Sequence, residues 1–145
     1  MHSYSTEIDF LRAVEEKDNQ QNGREKLAAE EISSIKTAYA NLPEDYLDYL
    51  QCVGWGSFRG CQFMVFSFPE ALSDLGIASE IDDISSYVFF GDNFAGNFSG
   101  FNLQNGEVVE WWHDTDEIYA TGKTFQEYIR AQMLMDENGN DTKSH

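Results

Sequence analysis

The sequence predicts a single α+β domain spanning 1–145, a predominantly antiparallel sheet flanked by N-terminal helices and a C-terminal helix. Three observations carry this expectation. Apolar residues recur at helical spacing through the first third of the chain. The middle then shifts to apolar runs of strand length, and a capping-box motif opens a last helix. No segment repeats, and no linker divides the chain.

Thr6-Glu7-Ile8-Asp9 has the form of a capping box, and Ile8, Leu11 and Val14 follow at helical spacing. Asp18 to Gly23 is polar and ends in Gly, which reads as a loop. A second helix is predicted from Leu27 to Tyr39, with Ile32, Ile35 and Tyr39 on one face. Leu42-Pro43-Glu44-Asp45-Tyr46 starts a third. Pro suits the first helical turn, and acids suit the positive end of the helix dipole. Tyr46, Leu47, Leu50 and Val53 form its apolar stripe, and Gly54 is its left-handed cap.

Cys61 to Phe68 is a nearly continuous apolar run, expected to be a strand buried on both faces. Pro69 to Leu72 predicts a helical turn, Ser79 to Ser86 an exposed acidic loop, and Tyr87 to Phe90 a short strand. Asn105-Gly106, between Phe101-Asn102-Leu103 and Val108 to Trp112, predicts a hairpin with a type I′ turn. Thr124-Phe125-Gln126-Glu127 opens a helix carrying Phe125, Tyr128, Ile129 and Met133 on one face. Residues 136–145 are polar and expected to fray.

The 145 residues carry a net charge of −17, with 14% aromatics. A disordered acidic tail is poor in aromatics, so the chain has material for a core. The charge is unevenly placed. Between Arg59 and Lys123 there is no Lys or Arg, while Glu70, Asp74, Glu80, Asp82, Asp83, Asp92, Glu107, Glu110, Asp114, Asp116 and Glu117 all fall in that interval. Such a surface repels nucleic acid and anionic membrane, which excludes both as partners, and attracts basic proteins. Charge alone also serves solubility. Met1 to Glu7 lacks a basic and an apolar signal region, and no apolar run approaches the length of a membrane span, so the expected location is cytoplasmic.

Motifs for chemistry are sparse. Gly91 to Gly100 is glycine-rich, but its glycines are too widely spaced for a dinucleotide fingerprint and no Lys-Ser/Thr follows, so it reads as a turn between strands. His113-Asp114 has no nucleophile elbow beside it, and neighbours on a strand point to opposite faces. Asp114-x-Asp116-Glu117 and Asp136 to Asp141 both miss the EF-hand pattern, so no metal or other cofactor is expected. Cys52 and Cys61 form no CxxC and read as two reduced thiols. One of the adjacent Trp111 and Trp112 must face outward on a strand; Trp112 is taken as a candidate interface anchor.

Three segments in order resemble the SUKH superfamily, which includes a yeast cell-wall regulator and many bacterial immunity proteins. They are Leu42-Pro43-Glu44-Asp45-Tyr46-Leu47-Asp48-Tyr49-Leu50, similar to the superfamily's LPxxYxxFL helix; Val88-Phe89-Phe90-Gly91-Asp92 with its glycine-rich continuation; and Val109 to Asp114 before the helix at Thr124 to Ile129. The likeness runs from about Glu30 to Ala131. The chain departs from it at Val53-Gly54-Trp55-Gly56, where Asn-Gly-Gly is common, and at Asn97 and Asn102, near which Asp is common. The resemblance implies a sheet flanked by helices, no shared catalytic residues, and direct binding of a toxin domain, such as a basic nuclease. On this reading Asp82, Asp83, Asp92, Asp114, Asp116 and Glu117 meet the partner, with Trp112 as apolar anchor, and the protein is no enzyme. The alternatives are a regulatory scaffold for endogenous proteins and a small enzyme using clustered carboxylates or His113.

Overall fold

The computed structural model describes residues 3–17, 24–60 and 62–142. Helix α1, Ser5–Lys17, buries Phe10, Leu11 and Val14. It begins a residue before Thr6, so the Thr6–Asp9 motif lies inside the helix instead of capping it. Helix α2, Ala29–Ala38, buries Ile32 and Ile35. It starts two residues after the predicted Leu27, where the Ala28 N–H donates to the Glu31 carboxylate at 3.1 Å. Helix α3, Glu44–Cys52, follows Pro43 and buries Tyr46, Leu47, Tyr49 and Leu50. Gly54 ends it at φ +106°, its N–H donating to Tyr49 O at 3.0 Å. A Cβ on Gly54 would lie 2.6 Å from the Glu25 backbone, so both conformation and space require glycine.

Six strands follow: β1 Gly56–Phe58, β2 Phe63–Glu70, β3 Tyr87–Asp92, β4 Phe98–Asn102, β5 Val108–Trp112 and β6 Glu117–Ala120. They pair antiparallel in chain order, β1-β2-β3-β4-β5-β6. Helix α4, Phe125–Gln132, closes the chain against the same side as α3. Its capping box is formed as predicted: Glu127 N donates to Thr124 Oγ1 at 3.1 Å, and Thr124 N to Glu127 Oε1 at 3.0 Å. The α+β expectation therefore holds.

The core lies between the helices and one face of the sheet, where Phe63, Val65, Phe90 and Phe101 meet Tyr46, Tyr49, Phe125 and Tyr128. Its centre is aromatic: Tyr46 and Phe101 ring centroids are 4.9 Å apart, and Phe90 and Phe125 meet edge to face at 5.1 Å. A smaller cluster forms on the opposite face. There Phe89 and Trp111 pack with Leu72, Leu75, Ile77, Ile81 and Ile84 from the β2–β3 connection. The connection opens with one helical turn, Leu75 N donating to Ala71 O at 3.2 Å.

Three expectations change. Strand β2 is not buried on both faces: Ser67 and Phe68 are exposed, in the stretch between Val65 and Glu70 where the pairing with β3 is irregular. The β4–β5 loop is not a two-residue type I′ turn. Asn102 N donates to Glu107 O at 2.9 Å, so Leu103 to Gly106 form a four-residue loop in which Gly106 takes the positive φ, +75°. The stretch from Asp136 does not fray as far as Thr142. Thr142 N donates to Leu134 O at 2.8 Å, and Asp141 pairs with the buried Arg59 at 2.8 Å. The polar residues close a turn there, Asp136 Oδ1 accepting from Asn138 and Asn140 N–H at 2.9 Å each. The loop predicted at Asp18 to Gly23, the end of the predicted tail at 143–145, and Cys61 lie outside the described residues, and with Cys61 any pairing to the half-buried Cys52.

Candidate functional site

Strand β5 alternates. Trp111 points to the smaller cluster and is 4% exposed, whereas Trp112 lies on the helix-side face and is 42% exposed. The outward-facing member of the pair is thus Trp112. Its ring packs on Tyr119 of β6 at 5.2 Å between centroids, and its Nε1–H donates to Glu110 Oε1 at 3.2 Å. Tyr119 is 40% exposed and the nearby Phe94 49%, so large aromatic surface collects around the β5–β6 edge and the β3–β4 turn.

The acids divide by position. Asp82 and Asp83 are exposed just before the 3₁₀ turn Ile84–Ser86, which leads into the start of β3. Asp92 ends β3, and its carboxylate accepts from Phe94 N at 2.9 Å. Because β3 and β5 run in the same direction with β4 between them, Asp92 shares an end of the sheet with Asp114, Asp116 and Glu117 in the β5–β6 hairpin. Asp82 and Asp83 belong to the other end, where Asp83 acts on Tyr87 to raise its pKa after the larger effect of burial.

Asp116 is committed inside the molecule. At φ +50° it accepts from Ser79 Oγ, Glu80 N and Trp111 Nε1, each at 2.7 Å. The Ser79 hydroxyl above all, then the Glu80 amide and the Trp111 indole, hold its carboxyl below the usual carboxylate range. This carboxylate latches the β2–β3 connection to the β5–β6 turn. Asp114 and Glu117 are exposed.

His113 follows the end of β5, so its direction is not set by strand alternation and it does meet its neighbour: Nε2 lies 2.9 Å from Asp114 Oδ1. Its Nδ1 is 3.1 Å from Asn97 Oδ1, which also accepts from His113 N at 3.2 Å. A Cβ on Gly96 would lie 2.9 Å from Nδ1, so the glycine-rich turn between β3 and β4 seats the imidazole. No Ser, Thr or Cys side chain is hydrogen-bonded to His113 among the described residues. Among them, too, no group of three or more His, Cys, Asp or Glu is arranged to hold a metal, and no helix is long and apolar enough to cross a membrane.

A polar cleft of about 290 Å³ opens beside Trp112 where α4 leaves the sheet. Asn93, Asn97, Ser99, Glu110, Trp112 and Tyr128 line it, and Gln132 on α4 closes it. Tyr128 Oη donates to Glu110 Oε2 at 2.6 Å and bonds Ser99 Oγ. Burial first, then the Glu110 hydrogen bond, push the Tyr128 phenol up, which keeps it a neutral donor. Sequence reasoning did not single out Glu110 for this place. The signal available was period-2 alternation, which sets Glu110 and Trp112 on one face of β5.

These features define an α+β domain whose exposed polar and aromatic chemistry lies along one end and one edge of an antiparallel meander. The chain belongs to the SMI1/KNR4 family (SUKH-1), whose model matches residues 26–131. The family supports a protein-interaction or immunity-type module and is generally non-enzymatic. Comparison with curated proteins and with solved structures returned no match.

Proposed function

We propose that the protein is an immunity-type module that binds a basic toxin domain, such as a nuclease, in the cytoplasm and covers its active site. The observation that carries this reading, given the family, is how charge is partitioned. Among the described residues the arginine ion pairs include Arg12–Asp9, Arg24–Glu15, Arg59–Asp141 and Arg130–Glu7. Every acid in that set comes from the terminal segments. Asp82, Asp83, Asp92 and Glu117 have no cation partner among the described residues, and Asp114 meets only His113. A basic partner would supply the missing counter-charge, and Trp112 with Tyr119 would supply an apolar anchor. Asp116 acts in this reading by positioning the hairpin, since its carboxylate is already occupied.

The test is binding to a toxin domain encoded by a neighbouring gene, followed by charge reversal. Asp82→Lys with Asp83→Lys, and separately Asp92→Lys with Glu117→Lys, should slow association by about tenfold at low salt and flatten its salt dependence. Affinity unchanged by both pairs of reversals would defeat the electrostatic reading. Capture of endogenous proteins in place of a toxin would favour the scaffold.

A further inference from the structure

We propose that the cleft beside Trp112 is a receptor for one guanidinium group, an arginine side chain carried by the partner; this rests on the binding reading above. The cleft's volume, about 290 Å³, sits at the lower limit of small-molecule sites. It suits a single long side chain better than a cofactor. Among the described residues Glu110 is the charged one in its lining, and no Lys or Arg lines it, so the field inside favours a cation and opposes an anion.

The Glu110 carboxylate is held from two sides. Tyr128 Oη donates to Oε2 at 2.6 Å and Trp112 Nε1 to Oε1 at 3.2 Å. A carboxylate has roughly four acceptor positions, so each oxygen keeps one for a ligand. Two parallel acceptors fixed in orientation match the fork of a guanidinium, whereas an ammonium engages them as a point charge. Trp112 adds an indole beside the carboxylate, and guanidinium stacks on such faces.

The asparagines indicate how the arginine is presented. Asn93 Oδ1 accepts from Ala95 N at 2.9 Å and Asn97 N at 3.4 Å, and Asn97 Oδ1 accepts from His113 N at 3.2 Å. The Asn93 carbonyl oxygen is engaged in its own turn and that of Asn97 by His113, which leaves the amide nitrogens as donors. Donors beside a carboxylate suit a peptide: its carbonyls meet the asparagine amides while its arginine reaches Glu110.

The test uses the intact protein without any toxin. An ¹⁵N-labelled sample is titrated with N-acetyl-arginine amide at constant ionic strength and followed by NMR. The Trp112 indole and the Asn93, Asn97 and Gln132 side-chain amides should shift progressively. N-acetyl-lysine amide should give slopes at least about threefold smaller, from the weaker fork and stacking geometry. Glu110→Gln keeps an acceptor for Tyr128 and should cut the arginine response by about tenfold. The exposed Trp112→Ala is a second variant that leaves the core alone and should weaken the asparagine shifts by about threefold. Equal response to both amides, or an unchanged response in Glu110→Gln and in Trp112→Ala, overturns the assignment. Toxin binding with no arginine response overturns the cleft and leaves the proposed function standing. An arginine response in a protein that binds no toxin upholds the cleft and removes the toxin.

Discussion

Replacing Glu15 by Ala should come close to unfolding the protein, and the size of the loss follows from what Glu15 holds. Its carboxylate, 5% exposed, accepts both Arg24 Nη1 at 2.9 Å and Arg24 Nη2 at 2.7 Å, and Oε2 also accepts the Arg59 backbone N–H at 2.9 Å. One side chain therefore ties α1 to the start of the segment after it and to the turn between β1 and β2. Removing one member of a buried ion pair costs about 3–5 kcal/mol. Total stability is about 5–15 kcal/mol for a domain of this kind. With a urea slope of about 2 kcal/mol/M, the midpoint should fall by roughly 1.5–2.5 M. The double variant Glu15→Met with Arg24→Met removes both members of this pair, so neither is left facing the other's vacated place. It still removes the Glu15 acceptor of the Arg59 amide, which costs about 1–3 kcal/mol. Equilibrium urea denaturation followed by tryptophan fluorescence measures both. A single variant that loses less than about 1 kcal/mol, or a double variant that loses as much as the single, would refute the reasoning.

Further outcomes follow from two glycines, Gly100 and Gly76, and from the Asp116 latch. Gly100→Ala would place a Cβ 2.2 Å from Val88 O and 2.7 Å from the Phe89 ring, forcing β3 and β4 apart; it should cost about 3 kcal/mol in urea denaturation. Gly76→Ala, at φ +80° with open space around it, should cost only the backbone strain of about 1–2 kcal/mol, and equal losses at the two positions would contradict the packing argument. Asp116 has a folded-state pKa below its ordinary 3.8, so its contribution is complete above that value and disappears as pH falls through the lower folded value. Hydrogen exchange at the Glu80 amide should stay protected at pH 5 in the native protein and be unprotected there in Asp116→Ala; loss of protection in the native protein at pH 5 would count against the latch.

Much of the fold is written locally, and those parts are legible. Ile32 with Ile35 and Tyr46 with Leu50 mark buried helical faces by spacing alone. Thr124 and Glu127 announce α4 because both halves of the capping box lie within one turn. What escapes the sequence depends on distant partners. Strand β6 has a single residue packed inward, Ile118, because it is an edge strand with its other side chains toward solvent, so no apolar run announces it. Asp141 looks like part of a polar tail until Arg59, far earlier in the chain, is brought beside it. The Asn105-Gly106 pair marks a turn correctly but not its length: Asn102 and Asn105 side chains cap Gln104 and Glu107 N–H, and a four-residue loop satisfies those groups.

The same distinction separates the two parts of the candidate site. The acidic interval is a property of composition and can be read directly, as can the rule that one of two adjacent strand tryptophans must face outward. The cleft cannot be read that way, because Glu110 becomes a fixed acceptor only when α4 crosses the sheet and delivers Tyr128 to it. Charge alone gives a diffuse field, which speeds encounter but selects poorly among basic proteins. A carboxylate held by two donors beside an exposed indole adds geometry to that field, and geometry is what discriminates arginine from lysine. If the protein recognises one basic partner among many, the discrimination belongs at Glu110 and Trp112, while Asp82, Asp83, Asp92 and Glu117 govern how fast that partner arrives.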